Sequence, residues 1–189
     1  TCSVLYNAVS AGESHARPDR GGLILGICNG FQALVKSGLL PYGRRGRVTE
    51  SSPTLFRNDI NRHVSQIVTT RVASLNSPWL AGFELGELHS IAVSHGEGKF
   101  VVSDELAREL FDNGQVAFQY ADPEGRATAE APYNPNGSNF AIEGIISRDG
   151  QILGKMGHTE RWEENLFKNI AGNREQAIFR NAVNYFRKR

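Results

Sequence analysis

The fold of this chain is decided by residues 23–32, which have the sequence LILGICNGFQ. The apolar residues at its start, followed by Gly26, predict a short and fully buried strand. Residues 28–30 then turn the chain sharply, and the spacing of apolar residues from Phe31 to Ser37 predicts a helix. A buried strand, a tight turn with a nucleophile at its apex and a helix together make a nucleophile elbow, here with cysteine in place of serine.

Cys28 lies at the apex of this turn and is the candidate nucleophile. Gly26 and Gly30, on either side of it, leave room for a strained backbone and for close packing. The positive end of the helix dipole favours a thiolate, and the backbone N–H that follows Cys28 points to where an oxyanion would form. The alternative is an unreactive cysteine buried at the end of a core strand. The flanking glycines and the polar Asn29 favour the nucleophile.

The composition is that of an ordinary globular protein and argues against several function classes. The 189 residues predict a single domain, residues 1–189, with 40% hydrophobic and 22% charged residues. A formal net charge of +1 gives no electrostatic reason to bind nucleic acid or an anionic membrane, and no apolar run approaches the roughly 20 residues of a membrane span. Two cysteines and no recognisable secretory signal predict the cytoplasm. Because the chain begins with Thr1, we expect a piece of a longer protein.

Alternation and helical spacing predict the remaining elements. Strands are expected over residues 63–72, 87–94 and 115–120, with another beginning at 101, and helices over 104–113, 162–170 and 175–187. Residues 44–62 are polar and predict a solvated loop. Residues 140–147 and 151–156 predict an antiparallel hairpin with an Asp-Gly turn. Strands mixed with helices around the elbow predict an α/β domain with a largely parallel central sheet flanked by helices.

A cysteine nucleophile needs a base, and the base needs a group that orients it. Of the five histidines, His95 and His158 follow predicted strands and lie among glycines, where α/β sheets present functional groups. Glu160 lies two residues after His158, so in an extended backbone its carboxylate is on the same side as the imidazole. The expected triad is Cys28 as nucleophile, His158 as proton carrier and Glu160 as the group that fixes the ring. A solvated surface loop that carries His158 and Glu160 is the alternative.

Other kinds of site find no support in the sequence. The cysteines and histidines lack the short ligand spacings of metal sites, so no metal is expected. The glycines around the elbow match neither the Walker pattern nor the dinucleotide-binding pattern, so no phosphate loop is expected.

The sequence resembles the class I (triad) glutamine amidotransferases in GICNGFQ at residues 26–32 and in the late His158-x-Glu160 pattern. Three further segments narrow the resemblance: SHGEG at 94–98, NPNGS at 134–138 and GKMGHTER at 154–161. In combination they resemble the glutaminase domains of phosphoribosylformylglycinamidine synthases. The likeness covers residues 22–189, whereas residues 1–21 match it poorly. The GHTER form, where many members have PHPER, is similar to a branch that carries all its domains on one long chain.

The resemblance implies a flavodoxin-like α/β fold and hydrolysis of glutamine through a γ-glutamyl thioester on Cys28. It also implies that Asn29, Gln32, His95 and Gly96 bind glutamine, because they match positions around the glutamine pocket of the family. The ammonia would pass to a synthetase domain, on the same chain or on a separate subunit, which uses ATP and Mg²⁺ to convert a formylglycinamide ribonucleotide to its amidine. No cofactor is implied for the glutaminase domain itself.

The beginning of the chain departs from the pattern of the family. There, a first strand, a helix and a glycine-rich loop precede the elbow strand, and the loop supplies one donor of the oxyanion hole. Residues 1–21 do not show this loop, so we expect the N-terminal strand and the oxyanion loop to be missing. Two other functions stay open: a catalytically silent glutaminase-like module with a role in assembly, and a cysteine amidase of other specificity.

Overall fold

A computed structural model describes residues 21–45 and 48–187. Its strands are β1 (Ile24–Ile27), β2 (Thr54–Arg57), β3 (Val64–Val72), β4 (Leu88–His95), β5 (Glu97–Val101), β6 (Val116–Ala121), β7 (Ile142–Ile146) and β8 (Ile152–Lys155). Its helices are α1 (Asn29–Lys36), α2 (Asp104–Asp112) and α3 (Ile178–Arg187), with short 3₁₀ turns at Pro78–Leu80, Asn139–Ala141 and Thr159–Arg161. The sequence predicts that the N-terminal strand and the oxyanion loop are missing. That prediction concerns the start of the chain, and residues 1–20 lie outside the described ones.

Six strands form the central sheet in the order β1-β8-β7-β6-β3-β4, and β2 pairs with β5 in a separate two-stranded sheet. The α/β class is confirmed, and β7 and β8 form the antiparallel hairpin that was expected near the C-terminus. The sheet is mixed, however, and not largely parallel, since β1 and β8 are the one parallel pair within the described residues. A parallel pair needs a long crossover, usually a helix. α2 connects β5 of the small sheet with β6 of the large sheet, so it makes no such crossover.

α1 packs against the parallel pair through a face of three buried side chains, Phe31, Leu34 and Val35. Phe31 also stacks on Phe100 of β5, with ring centroids 6.0 Å apart, so the small sheet lies on the far side of α1. The helix can come this close because Gly154 of β8 has no side chain. A Cβ at this glycine would collide with Phe31 and with Leu40.

The central sheet curls, so that its last strand returns toward its first. The N–H of His158, after β8, donates to the carbonyl of Ala92 in β4 at 2.8 Å. The Cys28 sulfur, after β1, lies 3.8 Å from the carbonyl of Ser94, also in β4. Segments at opposite edges of the sheet therefore meet beside the elbow.

Three elements differ from the sequence prediction. β5 begins at Glu97 and ends at Val101, whereas the sequence predicts a strand that begins at 101. β2 lies within the segment predicted to be a polar loop. Its strand character comes from pairing with β5, so its local sequence pattern did not indicate a strand. The predicted helix over residues 162–170 is wrong. That segment consists of turns, and positive φ angles at Asn165 (71°) and Phe167 (56°) interrupt helical geometry.

α3 docks on the Pro78–Leu80 turn, where Asn181 donates a side-chain hydrogen bond to the carbonyl of Trp79 at 2.9 Å. Its apolar residues are divided between core and surface, because Ile178 is buried while Phe179 and Val183 are exposed. No helix in the described part of the chain combines the length and the apolar character needed to cross a bilayer.

The two glycines beside Cys28 provide a matched test of elbow packing. A Cβ at Gly26 would lie 2.5 Å from Leu34 Cδ1 and 2.7 Å from the carbonyl group of Gly30, whereas a Cβ at Gly30 meets nothing within 4 Å. Gly26→Ala should therefore lower the free energy of unfolding by about 1–3 kcal/mol, as overpacking against backbone does. Gly30→Ala, in a helix, should leave it unchanged or raise it by up to about 1 kcal/mol. Urea unfolding of both variants measures the difference, and equal losses would contradict this account of the elbow.

Candidate active site

Cys28 connects β1 to α1 in a backbone conformation that few residues other than glycine adopt, with φ 53° and ψ −110°. Such a conformation costs on the order of 1–3 kcal/mol and persists only where the surroundings enforce it. Here the Cys28 N–H donates to the carbonyl of Lys155 at 2.9 Å, and the Gln32 N–H donates to the carbonyl of Cys28 at 3.2 Å. The thiol consequently stands, partly exposed, at the N-terminus of α1.

His158 and Glu160 come directly after β8. Because β1 and β8 are parallel, their carboxyl ends open on the same edge of the sheet, which brings Cys28 and His158 together. The Nδ1 atom of His158 is 2.5 Å from Oε1 of Glu160. A 3₁₀ turn over Thr159–Arg161 makes this contact, and not the extended backbone from which it was expected. The His158 side chain is 9% exposed and that of Glu160 is 42% exposed, so the carboxylate faces solvent behind the ring.

The surroundings of His158 favour its charged form. Its interactions with the Cys28 side chain and then with Glu160 raise the pKa of His158 to about 9, against the opposing effect of burial. Partial burial tends to raise the pKa of Glu160, but hydrogen bonds from His158 and from the backbone bring it below its ordinary value. His158 Nε2 is buried and has no well-aligned hydrogen bond within the described residues, so the thiol is close to the ring without being aligned to it. At neutral pH the ring is an imidazolium held by a carboxylate.

The residues expected around a glutamine pocket lie on two elements close to the thiol. Asn29 is exposed at the start of α1, with Oδ1 4.0 Å from the Cys28 sulfur. Gln32, further along α1, donates from its side chain to the carbonyl of Glu97 at 2.6 Å and so ties the helix to β5. Gly96 lies where the chain crosses from β4 to β5, and a Cβ there would meet nothing within 4 Å. The space beside Gly96 is open.

His95 is buried at the end of β4, and its hydrogen bonds determine its tautomer. The Asn58 amide nitrogen donates to the carbonyls of Arg62 and His95, so Asn58 Oδ1 is an acceptor. The His95 Nδ1 atom, 3.1 Å from that oxygen, must then be the donor. Burial, together with the nearby His63 and His158, lowers the pKa of His95 to about 4, so the ring is neutral. Its Nε2 atom is a buried acceptor with no partner within the described residues.

These groups suit covalent and acid–base chemistry at an amide. A thiol on a strained elbow, an imidazolium beside it and free N–H groups at a helix start are the parts that acyl transfer needs. Within residues 21–45 and 48–187, no cluster of three or more histidine, cysteine, aspartate or glutamate side chains could hold a metal ion.

Comparison with known proteins identifies the family. A family model described as a CobB/CobQ-like glutamine amidotransferase domain matches residues 4–186. The chain belongs to this family. It is 40% identical over 147 residues to the phosphoribosylformylglycinamidine synthase subunit PurQ of Koribacter versatilis, which covers 78% of this chain and 58% of the relative. The protein of the same name from Chlorobaculum tepidum is 41% identical over 155 residues, which covers 82% of this chain and 61% of the relative.

A solved structure agrees with this assignment. The structure of PurLQS from Thermotoga maritima superposes with a TM-score of 0.65 at 27% identity, over 97% of this chain and 68% of that one. The chain spans about three fifths of the length of the curated relatives it matches. The resemblance seen in the sequence to the glutamine amidotransferases is therefore confirmed.

The NPNGS segment of this glutamine amidotransferase domain lies behind the site and supports it. Asn136 donates to the carbonyl of Gly98 at 2.8 Å, and the Ser138 hydroxyl accepts the N–H of Phe100 at 3.0 Å. Both asparagines of the segment are buried, and Asn134 bonds the backbone of Ser138 in both directions. The segment therefore fixes β5, which Phe31 and Gln32 of α1 contact.

Sequence reasoning missed two buried charges, Glu143 in β7 and Lys155 in β8. Neither side chain is exposed to solvent, and the Lys155 ammonium is 3.6 Å from a Glu143 carboxylate oxygen. The sequence did carry a signal for them, because each is the single charged residue of a short strand that is otherwise apolar or glycine. Opposite charges in two paired, buried strands predict an ion pair.

The pH dependence of stability should report the contact between His158 and Glu160. In the folded state the pKa of His158 is raised from the ordinary 6.5 to about 9, so protonation of the ring stabilises the fold. This stabilisation is complete below about pH 6.5 and is lost as the pH rises through about 9. Glu160→Gln removes one of the two interactions that raise the pKa of His158. The variant should titrate at lower pH in an NMR titration of the ring, and its deficit in free energy of unfolding should shrink between about pH 6 and pH 10.

The exposed Glu164 provides the control for this prediction, since it also follows β8 and its side chain makes no contact with the ring that the structure records. Glu164→Gln should leave the His158 titration where it is. An unchanged titration in Glu160→Gln would show that the carboxylate does not act on the ring.

Proposed function

We propose that this chain is the glutaminase component of a phosphoribosylformylglycinamidine synthase, which hydrolyses glutamine and supplies ammonia to a synthetase partner. The observation that carries the proposal is the strained Cys28 at the start of α1, beside a ring that Glu160 holds at 2.5 Å. Membership of the glutamine amidotransferase family and the names of the curated relatives support the same activity.

The first half of the reaction forms a thioester. The proton of the Cys28 thiol resides on His158, and the sulfur attacks the γ-carbonyl carbon of glutamine. The negative charge that develops on the carbonyl oxygen faces the N–H groups at the start of α1, beginning with that of Asn29, which have no partner within the helix. When the C–N bond breaks, the imidazolium of His158 gives its proton to the departing amine, and ammonia leaves.

The second half of the reaction returns the enzyme to its initial state. The neutral His158 takes a proton from water, and the hydroxide attacks the thioester carbonyl. The C–S bond then breaks and glutamate leaves, and the sulfur again lies beside the His158 ring, which holds the proton taken from water. One glutamine and one water give one glutamate and one ammonia. Glu160 stays ionised throughout and keeps Nε2, and not Nδ1, directed at the reacting atoms.

The proposed glutamine pocket uses Asn29, Gln32, His95 and Gly96. Asn29 Oδ1 lies 4.0 Å from the thiol sulfur, Gln32 lies on the next turn of α1, and the open space beside Gly96 can take the substrate. The neutral His95 offers a buried acceptor at Nε2, which suits an N–H group of glutamine. A buried acceptor that gains a donor on binding favours the substrate that carries that donor.

The partner in this proposal is a synthetase domain, on the same chain or on a separate subunit, which uses the ammonia together with ATP and Mg²⁺. Ammonia channelling between the two sites would keep it from escaping to solvent. The glutaminase steps themselves need the side chains of this chain and no cofactor. The cytoplasm is the proposed compartment, in keeping with a chain of two cysteines.

Alkylation by a glutamine-analogue electrophile tests the proposal. Incubation followed by intact-mass spectrometry and peptide mapping should give a single adduct on Cys28, because His158 interacts with this thiol and the proposed glutamine pocket adjoins it. Excess glutamine should block the adduct, and Cys28→Ala should abolish it. With the synthetase partner present, Cys28→Ala should reduce glutamine hydrolysis to background, and Glu160→Gln should reduce it about 10²–10⁴-fold.

The other outcomes identify the alternatives. An adduct on Cys28 that glutamine does not block would indicate a cysteine amidase of other specificity. No adduct, from protein shown to be folded, would indicate a catalytically silent module and would overturn the proposal.

A further inference from the structure

Glu143 and Lys155 form a buried ion pair whose presence the stability of the fold does not explain. Both side chains are completely buried, on paired strands of the central sheet. Removing two charges from water is costly, and apolar residues of similar volume in place of a buried pair are often neutral or stabilising. The hydrogen bonds that the pair makes suggest why charges occupy this place.

The Lys155 ammonium uses all of its donors on one small region. It donates to the carbonyl of Gly157 at 3.1 Å, to the Thr159 hydroxyl at 2.9 Å and to the Gln176 side-chain carbonyl at 2.8 Å. The Thr159 hydroxyl donates a hydrogen bond to the same Gln176 oxygen at 2.6 Å, so toward Lys155 it can only be an acceptor. Three acceptors require three N–H donors, which only the protonated amine provides. Burial lowers the pKa of Lys155 and the neighbouring Glu143 acts against this effect, and the three acceptors favour the charged ammonium.

Glu143 binds the same region from the other side. Its Oε1 atom accepts the N–H of Gly157 at 2.5 Å, and its backbone carbonyl accepts the N–H of Met156 at 3.1 Å. A Cβ at Gly157 would lie 2.8 Å from that Oε1 atom and 3.2 Å from the Lys155 ammonium. The pair is thus packed directly against the backbone of Gly157.

The residues bound in this way stand on either side of His158. We name residues 157–159 the histidine turn. Glu143 accepts the N–H of Gly157, and Lys155 donates to the Gly157 carbonyl and to the Thr159 hydroxyl. The carbonyl of Ala92 accepts the N–H of His158. Lys155 also accepts the Cys28 N–H at its backbone carbonyl, at 2.9 Å. One residue therefore holds the nucleophile with its backbone and the base with its side chain.

We propose that Glu143 and Lys155 are positioning residues that fix the histidine turn, and with it the His158 ring, relative to the thiol of Cys28. The inference rests on the proposed function, since it assigns His158 the transfer of the thiol proton. Neither side chain touches the reacting atoms. Their effect is geometric, and displacing a reacting group by about 1 Å can cost on the order of 10²-fold in rate.

The test uses a double variant, because removing either partner alone would leave a buried, uncompensated charge. Glu143→Ala combined with Lys155→Met removes both charges and keeps an apolar interior. The matched control is Gln115→Leu. Gln115 is also buried and bonds the carbonyls of Pro41 and Ile146, at 3.0 Å each, near the other end of β7.

Two measurements separate positioning from stability. The first is kcat for glutamine hydrolysis, measured with the synthetase partner and divided by the number of folded sites that alkylation titrates. In the double variant this kcat should fall about 10- to 100-fold, with little change in KM. The His158 pKa, followed by NMR titration of the ring, should fall from about 9 toward 6.5. The pKa falls because the displaced ring loses its interaction with Cys28, which lies on a different element and contributes most to the raised pKa. Glu160 moves together with the turn and stays beside the ring. Gln115→Leu should change neither quantity, whatever it does to stability.

The outcomes distinguish this inference from the proposed function. Absence of glutamine hydrolysis in the wild-type protein with its partner would overturn the function, while the NMR titration would still report the geometry of the turn. A folded double variant with unchanged kcat and an unchanged His158 titration would overturn the inference. If the double variant does not fold, Thr159→Val removes two hydrogen bonds of the histidine turn, those of the hydroxyl with Lys155 and with Gln176, at nearly constant volume. It should lower kcat several-fold, and unchanged kcat and His158 titration in that variant would overturn the inference equally.

Discussion

The hydrogen bond from the Cys28 amide to the carbonyl of Lys155, 2.9 Å long, joins the two halves of the site. It continues the parallel pairing of β1 and β8 by one residue, past the register of Ile27 and Lys155. Because the pairing is parallel, both strands deliver their next residues to the same edge, the thiol after β1 and the imidazole after β8. An antiparallel pair would have placed them at opposite ends of the sheet. The one parallel pair among the described strands is thus the one that the proposed chemistry requires.

The elbow is maintained by packing and not by its own local preferences. Cys28 adopts a positive φ of 53°, which a non-glycine residue keeps only where its neighbours enforce it. Close packing around the elbow holds this conformation. Because Gly26 and Gly154 have no side chains, the backbone of α1 can lie against Gly26 and Phe31 against Gly154. Gly30 has open space around it, so its role differs from that of Gly26 although the two look alike in the sequence. Strain at the nucleophile is offset by burial of the helix that follows it.

The sequence was sufficient to predict the features that depend on short segments. The elbow and the C-terminal hairpin are local patterns, and each lies where the residues indicated. Glu160 contacts His158 as its position two residues further on suggested, but through a 3₁₀ turn and not through an extended backbone. The direction of strand pairing, the curl that brings Ser94 to the thiol and the strand β2 depend on contacts between distant segments, which periodicity does not encode. The helix predicted over residues 162–170 failed for a related reason. Helical spacing of apolar residues does not exclude the positive φ angles that the folded chain requires there.

His158 and His95 show how the environment gives identical side chains different pKa values. His158 lies beside a carboxylate and the thiol, which raise its pKa to about 9, whereas burial lowers the pKa of His95 to about 4. Pairs of titratable groups whose surroundings move their pKa values apart are typical of acid–base sites. In the proposed reaction, it is therefore the His158 ring, and not that of His95, that gives a proton to the leaving amine at neutral pH. His95, fixed by Asn58 as a neutral acceptor, does not compete for the thiol proton. The second histidine can lie close to the first without interfering with it, and this leaves its Nε2 atom available to bind a donor.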